Sequence, residues 1–247
     1  MDIATHLTAL DGEGALLAEA AAKAGLDARV PSCPDWGVRD LVQHIGQVHR
    51  WAQSYVTSGR TTPPNENDSP ATPPADDELV DWFRDGHQTL IAALRDAPDD
   101  VGCWAFLPAP SPRAFWARRQ AHETAIHRAD AQLAAGMQPD YDAEFAADGI
   151  DELLLGFFAR PRGRLRSETP VRLGVHADDT DAAWTMTIGP DSRETIRESH
   201  AADCTVTGRA ADLYLLLWNR GDASNCQVAG DASLLDLWRT NARITWR

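Results

Sequence analysis

The chain has no excess of basic residues. Among its 247 residues, 23 are Lys or Arg and 37 are Asp or Glu, which gives a formal net charge of -14. Binding to nucleic acid depends on positive charge that neutralises phosphates, so this balance argues against a nucleic-acid partner. It also disfavours binding to anionic membranes. Small anions are not excluded, because a few local Arg residues are enough to bind them.

Long apolar runs are also absent. No segment approaches the roughly 20 apolar residues that cross a bilayer, and no basic segment followed by an apolar core marks a signal peptide at the N-terminus. We therefore expect a cytoplasmic protein that does not associate with a membrane. The four cysteines, Cys33, Cys103, Cys204 and Cys226, form no CxxC pair, and in a cytoplasmic chain we expect them to be free thiols.

Several catalytic motifs are missing as well. The sequence contains no Gly-rich phosphate loop, no GxSxG nucleophile elbow and no Cys-His protease signature, so a nucleotide kinase or a serine hydrolase has no support. No internal repeat is present. Length and composition suit one large domain or two modest ones, and they are compatible with a monomer or a homodimer.

Helical patterns dominate the first two thirds of the chain. The second helix carries an apolar stripe at a period of 3.6 residues, with Leu41, Ile45 and Val48 on it. A Pro-rich segment at 58–77 interrupts the pattern, and we interpret it as a loop because helical periodicity resumes at once. Helices are predicted at 2–24, from 37 onward, and at 76–96, 113–135 and 142–159.

After residue 161 the pattern changes to alternating strands. Segments 171–175, 184–188 and 204–207 alternate as half-buried strands do. Helices are predicted at 210–220 and 233–239, with a strand at 225–228 between them. Helices followed by a mixed region predict an α plus α/β fold with two domains, 1–160 and 161–247.

The fourth helix carries the strongest chemical signal. Glu123 and His127 are four residues apart, so their side chains lie one turn apart on one face and could hold one ion. The best third ligand is His44, with His87 as an alternative, and Asp130 could orient His127. A His2Glu set leaves one coordination position open on a zinc-like ion, which suits a bound hydroxide or thiolate. An exposed Glu-His pair without metal is the alternative interpretation of the same spacing.

The other histidines near these positions fit the site less well. His49 is five residues after His44 and therefore lies off the same helical face, so we expect it at the surface or between helices. His122 points about 100° away from Glu123. Neither is predicted to be a ligand.

Five segments resemble a known family. Val30–Trp36 and Val38–His44 are similar to the start of the actinobacterial mycothiol-dependent maleylpyruvate isomerase family, which belongs to the DinB-like superfamily. His122–Arg128, followed by Asp130, resembles its second signature. Leu213–Arg220 and the later Val-Ala-Gly-Asp segment resemble its C-terminal domain. The resemblance covers nearly the whole chain in order.

The resemblance implies a DinB-like four-helix bundle followed by a small α/β domain of sterol-carrier-protein type. It implies that His44, Glu123 and His127 bind a divalent metal, zinc in the isomerase. It further implies that Arg220 acts as a catalytic residue, reaching the active site from the second domain to hold substrate carboxylates. Gly37 departs from the Thr or Ser that relatives often have there, which affects a helix cap and not the chemistry.

The implied chemistry uses mycothiol as a thiol cosubstrate. The metal lowers the pKa of the thiol, and the thiolate adds to a small electrophile. In the isomerase, addition to the double bond of maleylpyruvate permits rotation, and elimination then gives fumarylpyruvate. Relatives conjugate mycothiol to other electrophiles, so we expect an isomerase or a thiol S-transferase. A metal-hydroxide hydrolase of the same fold and a non-catalytic binding or stress-response protein are the alternatives.

Overall fold

The structure is a computed structural model that describes residues 1–65, 68, 70–161 and 163–244. The chain forms two compact units, Met1–Pro139 and Asp140–Arg247. The predicted combination of a helical bundle with a smaller α/β part is confirmed. The four cysteines are free thiols, as predicted.

The first unit is built from four long helices. They are α1 (Ile3–Ala24), α2 (Val38–Ser58), α3 (Asp76–Asp96) and α4 (Pro112–Ala134), each within two residues of its predicted bounds. Helix α1 packs mainly against α4 and α3, and α2 packs against α3 and α4. The apolar stripe of α2 is fully buried at Leu41 and Ile45, as the helical period predicts.

Local signals define where these helices begin and end. Asp2 accepts a hydrogen bond from the Thr5 amide at the start of α1, and Ser111 caps α4 directly before Pro112. Gly59 ends α2 in the left-handed conformation, with φ of 64°.

Helix α4 differs from the others because it is buried on nearly every side. Polar and charged side chains are buried along its whole length, namely Arg119, Gln120, His122, Glu123, His127, Arg128, Asp130 and Gln132. Burying polar groups costs free energy unless each has a partner. A polar helix in the centre of a bundle therefore indicates a built polar site.

The second unit combines helices with one mixed sheet. Helix α5 (Ala143–Asp151) continues into a π-helical segment, Glu152–Phe157. The strands are β1 (Val171–Ala177), β2 (Ala183–Ile188), β3 (Arg193–Ile196), β4 (Cys204–Gly208) and β5 (Gln227–Gly230), in the sheet order β3-β2-β1-β4-β5. Strands β1 and β4 are parallel, and the other pairs are antiparallel. Helices α6 (Ala210–Leu217) and α7 (Ser233–Asn241) complete the unit with a 3-10 turn, Ala223–Asn225.

Two features of this unit differ from the prediction. The compact units divide at Pro139 and not at residue 160, because α5 packs on α6, with the rings of Tyr141 and Phe145 against Tyr214. Strand β3 was not predicted, because its sequence Arg-Glu-Thr-Ile lacks a clear apolar alternation. It lies at the edge of the sheet, where charged side chains are common.

Within the described part of the chain, every helix is too short or too polar to cross a membrane.

Candidate metal centre

The structure brings together the three side chains that the spacing singled out. Helix α2 supplies His44, and α4 supplies Glu123 and His127. The Oε1 atom of Glu123 lies 3.6 Å from His44 Nε2 and 3.4 Å from His127 Nε2, and the three candidate ligand atoms all lie within 4.8 Å of one another. Two imidazole nitrogens therefore face one carboxylate oxygen.

Arg119 holds the other oxygen of Glu123. Its Nη2 atom donates a 2.8 Å hydrogen bond to Oε2 from one helical turn earlier. Burial alone acts to raise the pKa of the Glu123 carboxyl, but the Arg119 charge and the hydrogen bonds from His127 and His44 together hold that pKa well below its usual range. The carboxylate is thus negative, with Oε1 directed at the histidines.

Asp130 fixes the orientation of His127. The His127 Nδ1 atom lies 2.9 Å from Asp130 Oδ2, and the hydroxyl of Ser32 donates to the other oxygen of the same carboxylate. A proton on Nδ1 leaves the lone pair of Nε2 free for a cation. Burial lowers the pKa of His127, but Asp130 and Glu123 outweigh it and raise that pKa to about 9. The environment therefore favours a positive charge at this point.

Trp36 covers the site from the loop before α2. Its ring lies 5.0 Å from the His44 ring and stacks on the His127 ring at 6.1 Å, measured between centroids. Backbone hydrogen bonds from Val30 to Trp36 and from Trp36 to Cys33 fold this loop tightly. The same loop carries Ser32. The segment before α2 therefore supports both histidines.

The donor set fits a divalent cation of the zinc class. Ligand atoms at about 2.1 Å from a tetrahedral ion lie about 3.4 Å apart, and the two contacts of Glu123 Oε1 have this length. Two neutral imidazoles and one carboxylate are common zinc ligands. The His44 side chain is 28% exposed, so the site has an open side. That a metal binds there stays a prediction.

His87 and His49 lie outside this cluster. The alternative ligand His87 is buried, with its ring 5.2 Å from that of His49, and it is not among the residues grouped around Glu123. His49 is fully buried, and its Nε2 atom lies 2.9 Å from Thr124 Oγ1 on α4. An interhelical position for His49 is confirmed, and a surface position is wrong.

Arg220 lies in the second unit, just beyond α6. Asn219 adopts a left-handed conformation with φ of 58°, and the Arg220 amide donates to the Leu215 carbonyl. The Arg220 guanidinium donates from Nη1 to the Trp218 carbonyl at 2.8 Å. Asn219 donates to the Ala242 carbonyl, which links this turn to the end of α7. The role of Arg220 in substrate binding stays a prediction.

Three supporting residues were missed at the level of sequence. Arg119 precedes Glu123 by four residues on the same helix, a spacing that predicts an ion pair. Ser32 and Trp36 have no such signal, because the contacts of Ser32 with Asp130 and of Trp36 with His127 span about 90 to 100 residues of chain. Only the fold reveals them.

Comparison with known proteins identifies the family and the fold. Residues 7–132 match the family described as mycothiol maleylpyruvate isomerase N-terminal domain, and residues 144–237 match the MDMPI C-terminal domain. Two crystal structures of a mycothiol-dependent maleylpyruvate isomerase, one of them a mutant, are similar in fold. They align over 94% of this chain and 95% of theirs, with 13% and 12% identity and TM-scores of 0.61 and 0.64. No curated protein matches the sequence.

Proposed function

The chain belongs to a family of enzymes, the mycothiol maleylpyruvate isomerases, and from this premise we propose that it is a metal-dependent enzyme that activates mycothiol for addition to a small electrophile. The observation that carries the proposal is the approach of His44 Nε2 and His127 Nε2 to one oxygen of Glu123. The reaction is an isomerisation or the transfer of the thiol to the electrophile.

Three residues of the site would hold the cation, and two others orient two of those three. His44, Glu123 and His127 would hold a divalent cation, zinc being the best match to this donor set. Such an ion supplies the positive charge that keeps a thiol deprotonated at neutral pH. Asp130 keeps the lone pair of His127 Nε2 directed inward, and Arg119 keeps Glu123 Oε1 turned toward the histidines.

The net charge of the site favours an anionic thiol. One carboxylate and two neutral imidazoles carry a charge of -1, so a divalent cation leaves the assembly with a net charge of +1. Trp36 and the buried wall of α4 exclude water on one side, which strengthens electrostatic interactions inside. The exposed side of His44 gives the thiol access.

The proposed isomerisation regenerates the thiol, whereas the proposed S-transfer consumes it. The sulfur electron pair forms a C–S bond to one carbon of an activated double bond, and the adjacent carbon takes the negative charge. Rotation about the resulting single bond, followed by cleavage of the C–S bond, returns the thiolate and a cis–trans isomer. Where the adduct is instead protonated, the product is a thioether.

We propose that Arg220 binds the carboxylate of an anionic electrophile, since a guanidinium binds a carboxylate through two parallel hydrogen bonds. Arg220→Ala should leave metal content unchanged and raise KM for a carboxylate substrate, with Arg239→Ala, at an exposed position of α7, as the matched control. Equal KM values for the two variants would remove Arg220 from the site.

The central experiment measures metal content and thiol dependence on the same preparations. Zinc-loaded protein should retain about one ion per chain, whereas His44→Ala, Glu123→Ala and His127→Ala should each retain little. With maleylpyruvate or other activated alkenes, turnover or a mass-shifted conjugate should require mycothiol. Full metal occupancy in all three variants would refute the ligand set. Hydrolytic turnover without any thiol would instead favour a metal-hydroxide hydrolase, and the absence of turnover with every substrate a non-catalytic protein.

A further inference from the structure

The first unit has a cavity beside His44. This cavity of about 660 Å³ runs along α2 from His44 to Tyr55, and its lining on the other side includes Pro64, Pro70 and Ala71. Its walls include Gln47, Trp51 and Ser54. The volume lies within the range of pockets that hold a small organic ligand. The cavity therefore extends the candidate metal centre on one side.

The two guanidinium groups that line this cavity are already engaged. Arg50 donates to the carbonyls of Gly46 and Trp82 and lies over the Trp82 ring at 3.8 Å. Arg60 forms a 2.7 Å ion pair with Asp68 and donates to the Pro63 carbonyl. Both guanidinium groups already have acceptors in the folded chain, so a carboxylate or a phosphate would have to compete with those acceptors.

The cavity offers neutral polar groups next to aromatic rings instead. Ser54 donates its hydroxyl to the Trp51 carbonyl at 2.7 Å, which leaves the hydroxyl oxygen as an acceptor. Gln47 donates to the Ala71 carbonyl through its amide nitrogen, which leaves the amide oxygen as an acceptor. Hydroxyl and amide groups beside Trp51 suit a ligand that carries many hydroxyl groups.

We propose that this cavity binds the uncharged, hydroxyl-rich part of the thiol cosubstrate, and that the thiol end lies toward His44. The inference rests on the proposed function. Mycothiol carries its cysteine-derived thiol on a sugar and a cyclitol, so a thiol placed at His44 leaves a polyol to be accommodated. The amide oxygen of Gln47 and the hydroxyl oxygen of Ser54 can accept hydrogen bonds from the hydroxyl groups of this polyol.

The test uses a ligand that cannot react. S-methyl mycothiol has no ionisable thiol, so its binding to the zinc-free and the zinc-loaded protein reports the cavity and not the chemistry. Calorimetric titration should detect binding to both forms. Ser54→Trp places an indole in the cavity and should weaken binding at least tenfold. Gln47→Leu removes one hydrogen-bond acceptor and should weaken binding about fivefold.

The matched control is Ser58→Trp, since Ser58 is exposed on the same helix one turn further along and does not line the cavity. It should bind S-methyl mycothiol as the unmodified protein does. Affinities of Ser54→Trp and Gln47→Leu equal to that of Ser58→Trp would overturn the inference. The same result with normal mycothiol-dependent turnover would leave the proposed function intact.

A second measurement identifies which part of the ligand is recognised. myo-Inositol and methyl glucoside should compete with S-methyl mycothiol, whereas N-acetylcysteine methyl ester should not. Competition by the cysteine part alone would overturn the assignment of this cavity to the polyol. If S-methyl mycothiol binds in the cavity and mycothiol supports no turnover with any electrophile, the cavity assignment stands and the proposed function fails.

Discussion

Two pairs of histidines within one helical bundle have opposite surroundings. His44 and His127 face a carboxylate oxygen, and a second carboxylate, Asp130, supports His127. The ring centroids of His49 and His87 lie 5.2 Å apart, and both rings pack against the ring of Phe83. Among the described side-chain hydrogen bonds, none joins either imidazole to a carboxylate. We refer to these as the ligand pair and the core pair.

The difference comes from the helical period and not from residue type. His44 and His49 are five residues apart on α2, which rotates their side chains by about 140° relative to each other. Burial lowers the pKa of His49 and of His87, so both stay neutral, whereas carboxylates raise the pKa of His127 to about 9. A buried imidazole thus becomes a ligand candidate only where fixed negative charge faces it.

The largest effect should follow from removing the charge beside the ligand pair. In the metal-free protein, Glu123→Ala should lower the free energy of unfolding by about 3–5 kcal/mol, because Arg119, 1% exposed, loses the carboxylate that it binds. Urea denaturation at pH 7 measures this. Asp81→Ala breaks an exposed ion pair with Arg84 and should cost less than about 0.5 kcal/mol. Similar costs for both variants would contradict an ionised Glu123.

The next effect separates support of the ligand pair from support of the core pair. Asp130→Asn keeps the shape of the side chain but removes its charge, and it should weaken zinc binding about 10- to 100-fold in competition with a chelator. Thr124→Val removes the hydroxyl that contacts His49. It should lower stability by about 1 kcal/mol and leave zinc affinity unchanged. Equal zinc affinities in both variants would mean that Asp130 does not orient the ligand.

The core pair should respond to replacement by an apolar side chain. Burial of the His87 ring outweighs the backbone and charge interactions with Asp11, and neither ring nitrogen has a fully formed hydrogen bond within the described residues. His87→Leu should therefore raise stability by about 1 kcal/mol at pH 7 without changing zinc affinity. A loss of stability, or of zinc, would contradict this account of the core pair.

The gain from His87→Leu should grow as the pH falls from 7 to 5. Burial lowers the pKa of His87, while Asp11 on α1 acts in the opposite direction and His49 is its neutral neighbour on α2. Because the folded-state pKa lies below the unfolded one, the unfolded chain binds the extra proton first, and stability falls with falling pH. Leucine removes this loss. If the unmodified protein and His87→Leu lost the same stability between pH 7 and 5, this explanation would be refuted.

How much of the site could be predicted follows from which contacts are local. Glu123, His127 and Asp130 share one helix, so spacing alone brings them together. The position of His44 could be predicted because the apolar stripe of α2 defines which face of the helix is buried. The burial of His49 could not be predicted, because it depends on where α3 and α4 lie. The division of the chain at Pro139 has the same origin, because α5 packs on α6 about 70 residues later.

The smallest effect should act on both pairs alike, through the helix that carries His44 and His49. Gly37 starts α2 with extended dihedrals, φ of -93° and ψ of 170°, and its amide donates to Asp40 Oδ2 at 2.8 Å. Gly37→Ser adds a side-chain acceptor for the Asp40 amide, and a Cβ atom there meets nothing closer than 3.4 Å. Stability in urea should therefore rise by about 0.3 kcal/mol. Zinc affinity should stay the same, because the cap touches neither histidine. A change in zinc affinity would contradict this and would show that the start of α2 positions the ligand pair.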